Sequence, residues 1–204
     1  MADTIDKTCV TYRQERLVVD VYPNFLNSIL AQQLFDYLET EVPWNKKITP
    51  GRRVNQNYGE VGLKYVLKFG GYNGRPAKTS ERPVLPWSEL PALEYLLEML
   101  LEATGSRYNY CVIQRYPSGQ VGINPHKDKE MQVGSLIAGL SLGTERTLTL
   151  TPPHYNRIDT TPLEIKLPPG SLYVLKDPTN RHWQHAIEKD DTTTPRISLT
   201  FRTM

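Results

Sequence analysis

The sequence predicts a mainly β fold with flanking helices, an α+β architecture, on three observations. The second half of the chain reads as short β-type runs broken by turn residues, and two amphipathic stripes with helical spacing stand in the first half. The 204 residues, 39% of them apolar, with 13 Gly, 16 Pro and 2 Cys, suit one compact core spanning residues 1–204. None of the biases of a collagen-like repeat, a disulfide scaffold or a disordered chain is present.

The first helix is expected after Asn24, or Asn27 as an alternative cap. Leu26, Ile29, Leu30, Leu34 and Leu38 recur with helical spacing, and Pro43 bounds the far end. Residues 1–45 thus read as an N-terminal helical extension. Ser88 can cap a second helix through Leu93, Leu96, Leu97, Leu100 and Leu101, with Glu94, Glu98 and Glu102 on its wet face and Gly105 as its stop. From Tyr108 onward the candidate strands are Tyr108 to Tyr116, Leu136 to Leu142, Thr147 to Thr151, Leu163 to Leu167, Ser171 to Leu175 and Arg196 to Phe201. The turn signals PSG, LGTE, PPHYN, PPG and DPTN separate them. Strands at this spacing imply an antiparallel sandwich or barrel over 108–204.

Cys9 and Cys111 point to a reducing compartment. No apolar stretch reaches the roughly 18 residues of a membrane span, and MADTIDKT lacks the layout of a signal peptide. The expectation is an intracellular protein, nuclear or cytoplasmic, with no membrane partner. The net charge of +2 conceals a strong division along the chain. Residues 1–45 carry three cations against seven acids, residues 46–82 nine against two, and the rest twelve against thirteen. The basic middle block interleaves Tyr58, Tyr65, Phe69 and Tyr72 with its cations. Cations hold phosphates and aromatic faces stack on exposed bases, so the block suits a polyanion-facing surface as well as a solvated loop.

Of the four histidines, His126 is the informative one. In NPHKDKE, His126 and Asp128 are one residue apart and project to the same side of an extended segment, as two ligands of a divalent metal do. Two histidines and one carboxylate on one face of iron leave the other positions open, so a third ligand is needed. His185, in PTNRHWQHAI, and His182, three residues earlier, are the candidates. RISLTFR places Arg196, Ser198, Thr200 and Arg202 on one side of a strand, and two arginines on a buried face need anions to pair with. A dicarboxylic acid beside a metal is a natural partner for a guanidinium fork. His154 reads as a loop residue and Cys111 as core.

Together these residues carry a resemblance. YGEVGLKY, the QRYPSG turn ahead of PHKDKE, LSLG, PPGSLYVL, PTNRHWQH and PRISLTFR resemble the AlkB family of Fe(II)- and 2-oxoglutarate-dependent dioxygenases, most closely its AlkB homologue 2 branch. The matching stretches run from about Tyr58 to Arg202, and the first forty residues contribute little. The resemblance implies a double-stranded β-helix, or jelly roll, with Fe(II) held by His126, Asp128 and His185. It implies that Arg196 pairs with the distal carboxylate of 2-oxoglutarate, that Tyr116, Thr200 and Ser198 accompany it, and that Arg202 is the family's second arginine. The chemistry implied is oxidative dealkylation of N-alkylated bases such as 1-methyladenine and 3-methylcytosine. It would consume O2 and 2-oxoglutarate and release succinate, CO2 and formaldehyde, as DNA alkylation repair on a base turned out of the stack. A hydroxylase or demethylase of RNA, protein or a small molecule on the same fold is the alternative.

By the same resemblance, Glu130 faces the exocyclic edge of the base. Tyr65 lies on a nucleotide-recognition lid spanning the basic block 46–82, with Arg53 and the neighbouring Arg52 as its backbone-gripping cations. Gln114 stands where relatives carry Asn beside the cosubstrate. Leu67 stands where they carry the aromatic residue that stacks on the base, with Phe69 two residues on pointing the same way. Ile48 is the only bulky apolar residue of KKITPGRR available as a wedge. The partner expected is DNA, or RNA, bound by a monomer.

Overall fold

The computed structural model describes residues 6–44, 51–69, 78–152 and 161–204, and only the backbone of 67–69 and 78. In chain order the strands are β1 (Val10–Gln14), β2 (Leu17–Tyr22), β3 (Val54–Gly59), β4 (Tyr65–Phe69), β5 (Lys78–Arg82), β6 (Leu85–Pro86) and β7 (Tyr110–Tyr116). They continue as β8 (Ile123–His126), β9 (Ile137–Gly143), β10 (Arg146–Thr151), β11 (Leu163–Leu167), β12 (Leu172–Leu175), β13 (Gln184–Ile187) and β14 (Arg196–Arg202). Three helices accompany them, α1 (Ser28–Glu41), α2 (Ala92–Thr104) and the single turn α3 (Thr179–His182). An eight-stranded sheet in the order β1-β2-β12-β9-β14-β7-β3-β6 faces a four-stranded sheet in the order β11-β10-β13-β8, and β4 pairs with β5 in a separate hairpin. This is the jelly-roll arrangement, mainly β with flanking helices.

The period-2 alternation decides what each face of the large sheet meets. On β14, Ile197, Leu199 and Phe201 join the cluster of Leu38, Leu93, Leu96 and Leu100 from α1 and α2. The alternate residues Arg196, Ser198, Thr200 and Arg202 face the space between the sheets, and all are buried. There they register against Tyr116, Gln114, Val112 and Tyr110 of β7. A second apolar cluster, including Leu17, Val19, Leu148, Leu150, Tyr173 and Trp183, closes the same space at its other end. Gly139 of β9 is required there, since a Cβ at that position would lie 2.2 Å from the Tyr173 ring.

Asn27, not Asn24, caps α1, its Oδ1 accepting from the Leu30 N–H at 2.9 Å. Ser88 does not cap α2: it sits inside a 3-10 turn at Trp87–Glu89, and the helix starts after Pro91. Pro91 has no N–H to lose at a helix start, which makes the proline the better boundary. Gly105 ends α2 as expected, at φ 69° with its N–H donating to Leu101 O at 2.9 Å. Residues 1–45 are not purely helical, because β1 and β2 join the large sheet; these strands went unread because β1 is mostly exposed and β2 nearly all buried, so neither alternates. No helix among the described residues is long and apolar enough to cross a membrane.

Candidate active site

Strands β8 and β13 set His126 and His185 directly opposite each other, with ring centroids 4.3 Å apart. Asp128 lies just past the end of β8 rather than on it. Its carboxylate stands 3.6 Å from His126 Nε2 and 4.0 Å from His185 Nε2. One ligand atom from each of the three residues falls within 4.8 Å of the others. His126 Nδ1 lies 2.9 Å from the Asn124 carbonyl, so as a donor there it leaves Nε2 free to bind a metal. Burial, reinforced by His126 and Arg202 and opposed by Asp128, pushes His185 down to about 4, which keeps its imidazole neutral and ready to ligate. The donor set suits a divalent metal with open positions. His182 is not part of this group; its Nδ1 lies 3.5 Å from the Arg16 guanidinium.

Beside the three residues, β14 supplies the cations. Arg202 Nη2 contacts Asp128 Oδ2 at 2.8 Å, so one of the two arginines has its anion within the protein. Arg196 does not: Nε donates to Ser141 Oγ at 2.9 Å, while both terminal nitrogens are buried and, among the described residues, without a hydrogen-bond partner. Burial lowers the Arg196 pKa; the guanidinium carbon lies 5.1 Å from the Tyr116 ring centroid, but among the described residues it has no ion-pair partner. A carboxylate is the group that satisfies it, and the fork matches one in two parallel bonds. A small cavity of about 30 Å³ beside His126 and His185 is lined by Gln114, the same Tyr116, Tyr173, Ser198, Thr200 and Arg202. Within it the Tyr116 hydroxyl donates to Gln114 Oε1 at 3.0 Å. By donor chemistry the residues present therefore fit a metal, and the Arg196 fork fits a carboxylate.

A cleft of about 290 Å³ opens onto His126 and Asp128 between β3, β4, β7 and β14. Tyr65 stacks on Tyr110 with centroids 5.4 Å apart and planes 17° from parallel, and Tyr110 donates to Asn57 Oδ1 at 2.8 Å. Burial, and then the neighbouring Glu130, raise the Tyr65 pKa and hold its hydroxyl as a donor. Glu130, Arg53, Arg82 and Asn55 complete the walls. Arg53 turns inward, 5.8 Å from the Tyr116 ring centroid, whereas Arg52 is exposed. The side chains of Leu67 and Phe69, and all of Ile48, Tyr72 and His154, lie outside the described residues.

Several contributors escaped the sequence. Ser141 and Tyr110 share the parity of Arg196 and Tyr116 and were open to that argument. Arg146 and Asn180 were not. Arg146 is 2% exposed; it meets Asp190 at 2.8 Å, donates to the carbonyls of Gly119 and Val121 at 3.2 and 3.1 Å, and also donates to that of Glu188. It thereby ties the turn before β8 to the loop after β13.

Comparison with known proteins agrees with this geometry. Residues 18–202 match the model of the 2OG-Fe(II) oxygenase superfamily. The chain is 32% identical over 219 residues to a DNA oxidative demethylase ALKBH2 of Bos taurus, covering 98% of this chain and 73% of that protein. To the DNA oxidative demethylase ALKBH2 of Mus musculus it is 31% identical over 159 residues, covering 74% of this chain and 61% of that one. The chain thus spans about three fifths to three quarters of these relatives. The solved structure of OsALKBH1 shares the fold at a TM-score of 0.56 and 14% identity, over 97% of this chain and 100% of that one.

Proposed function

The chain belongs to the 2OG-Fe(II) oxygenase superfamily, within its AlkB family, and from that premise we propose that it oxidatively removes alkyl groups from the nitrogens of nucleic-acid bases, DNA before RNA. Residues 1–204 act in this reading as one catalytic domain. His126, Asp128 and His185 hold Fe(II), with Nε2 of each histidine and the Asp128 carboxylate as donors. With O2 and 2-oxoglutarate, the iron supplies the oxidant that converts an N-methyl carbon to an N-hydroxymethyl group, giving succinate and CO2.

The protein's own part is positional. Arg196 grips the distal carboxylate of 2-oxoglutarate with its two terminal nitrogens, while Tyr116, Gln114, Ser198 and Thr200 line the cavity around the cosubstrate. Arg202 holds the Asp128 carboxylate in one orientation. The base enters the cleft against the Tyr65–Tyr110 pair, which offers the aromatic wall that Leu67 does not. Glu130 faces its exocyclic edge; a carboxylate accepts from an amino group and pairs with the positive charge that N-alkylation leaves on adenine or cytosine. Once the N-hydroxymethyl group has formed, its hydroxyl loses its proton to solvent, the O–H pair becomes the C=O bond of formaldehyde, and the C–N pair returns to the base nitrogen. Arg52 and the rest of the 46–82 block steady the phosphate backbone.

The single observation that carries the reading is the pair of buried Arg196 nitrogens, unpartnered among the described residues, beside a His-Asp-His group that opens onto a base-sized cleft. The test is to incubate the iron-loaded protein with oligonucleotides bearing 1-methyladenine or 3-methylcytosine, single-stranded and duplex, DNA and RNA. Loss of one methyl per lesion with matching succinate and formaldehyde is expected. Succinate formed with no methylated nucleic acid turned over would sink the substrate assignment.

A further inference from the structure

Asp128 lies beyond the end of β8, where no ladder holds its backbone. Both of its main-chain groups are instead taken by one side chain. The Asp128 N–H donates to Asn180 Oδ1 at 2.9 Å, and Asn180 Nδ2 donates to the Asp128 carbonyl at 2.7 Å. A single hydrogen bond would leave the residue free to turn about it. Two bonds to the two main-chain groups of one residue fix the direction of its Cα–Cβ bond and so the reach of its carboxylate.

Asn180 belongs to α3, a single turn too short to persist alone. The residues on either side of Asn180 hold that turn in place. Thr179, fully buried, accepts from the Val18 N–H at 2.8 Å and donates to the Val18 carbonyl at 3.0 Å. Trp183, 2% exposed, donates its indole N–H to the Glu15 carbonyl at 3.0 Å. Glu15 and Val18 belong to the β1–β2 hairpin, and His185 follows Trp183 by two residues with the same inward parity. The hairpin supplies no ligand, yet it anchors the segment that carries one ligand and clamps another.

We propose that Asn180 is a positioning residue for the metal site, acting through Asp128, and that the β1–β2 hairpin is its anchor through Thr179 and Trp183. The proposal rests on the reading of His126, Asp128 and His185 as metal ligands and is independent of the substrate.

Cobalt(II), titrated into the metal-free full chain and followed by visible absorption, tests it alongside urea midpoints. Asn180→Ala weakens cobalt binding by about tenfold, the low end of the range for outer residues around a metal. Asn180→Asp weakens it at least as much, because a carboxylate oxygen replaces the donor facing the Asp128 carbonyl. Thr179→Val, close in shape but without the hydroxyl, weakens it less but in the same direction. In an Asp128→Ala background, Asn180→Ala adds no further loss. A purely structural role would lower the urea midpoint and leave cobalt affinity alone. Equal cobalt affinity in folded Asn180→Ala, or additive losses in the double variant, overturns the proposal. A wild-type chain that binds no cobalt overturns the metal reading and the proposal with it.

Discussion

Replacing Arg196 by Met separates binding from stability, because the two are expected to move in opposite directions. The guanidinium is 1% exposed, and its hydrogen bond to Ser141 leaves two terminal nitrogens without acceptors among the described residues. If both grip a carboxylate, each charge-assisted bond contributes about 1.5–3 kcal/mol, together about 3–6 kcal/mol. Arg196→Met should therefore weaken 2-oxoglutarate by about 10²- to 10⁴-fold. Arg196→Lys keeps the charge but loses the fork and should fall between. Without cosubstrate the same Met removes a buried charge that has no ion-pair partner among the described residues, so the variant should be within about 1 kcal/mol of wild type in urea, or more stable. A saturating cosubstrate, at about a hundred times its Kd, should stabilise wild type by about 2.7 kcal/mol and the Met variant hardly at all. Calorimetric titration of 2-oxoglutarate and urea curves with and without it give both readouts. Arg196→Met that binds 2-oxoglutarate within about threefold of wild type, yet loses several kcal/mol of stability, would refute the reasoning and make Arg196 a structural cation.

Three further outcomes follow from the geometry. His185 has its folded pKa depressed to about 4 from 6.5, so the unfolded chain takes up the proton first as pH falls. Stability of the metal-free protein should be full above about pH 6.5 and drop by about 3 kcal/mol on the way to pH 4, a loss that His185→Gln removes in a denaturation series. Arg146→Met removes the donor from the carbonyls of Val121 and Glu188, while the Asp190 carboxylate, partly exposed, keeps its two bonds from Thr192; it should cost about 2–3 kcal/mol in urea, and a cost under about 1 kcal/mol would mean that water replaces the guanidinium. Arg52→Ala should reduce the salt slope of oligonucleotide binding by about one and leave the preference for methylated strands intact. Arg53→Ala should erode that preference, since Arg53 lines the cleft; identical behaviour of the two would contradict the division.

What the sequence revealed and what it hid follow one physical rule. Arg196 and Arg202 were legible because period-2 spacing sends alternate side chains to one face, and the observed β14 keeps that parity over its length, whereas Asp128, separated from His126 by one residue, reaches the site from just beyond the end of β8. The helical stripes were legible for the same reason with a period of 3.6. Arg146 and Asn180 stayed hidden because their partners are main-chain atoms, which every residue possesses and no residue type announces. In LGTERTLTL, Arg146 looks like a turn cation; only the fold brings the carbonyls of Gly119, Val121 and Glu188 around it. The β1–β2 hairpin was lost because its importance lies in contacts more than a hundred residues away in sequence.

The charge pattern gains meaning from the same placement. Helices α1 and α2 carry Asp36, Glu39, Glu41, Glu94, Glu98 and Glu102 and no lysine or arginine. They cover the face of the large sheet opposite the cleft, since the β14 residues that meet them alternate with those that face the site. The cations of the basic block divide in turn. Arg53 and Arg82 line the cleft, Lys64 sits 3.5 Å from Glu81, and Arg52 is exposed. A polyanion approaching from the helical side meets a predominantly acidic face, where Arg115 and Lys7 are paired with Glu39 and Glu102, and one approaching the cleft meets guanidiniums, so the field orients the encounter even though the whole chain is nearly neutral. A uniformly basic coat would hold any nucleic acid in any register. A chain with +2 overall and Arg53 and Arg82 at the cleft favours a productive orientation while keeping non-specific affinity low.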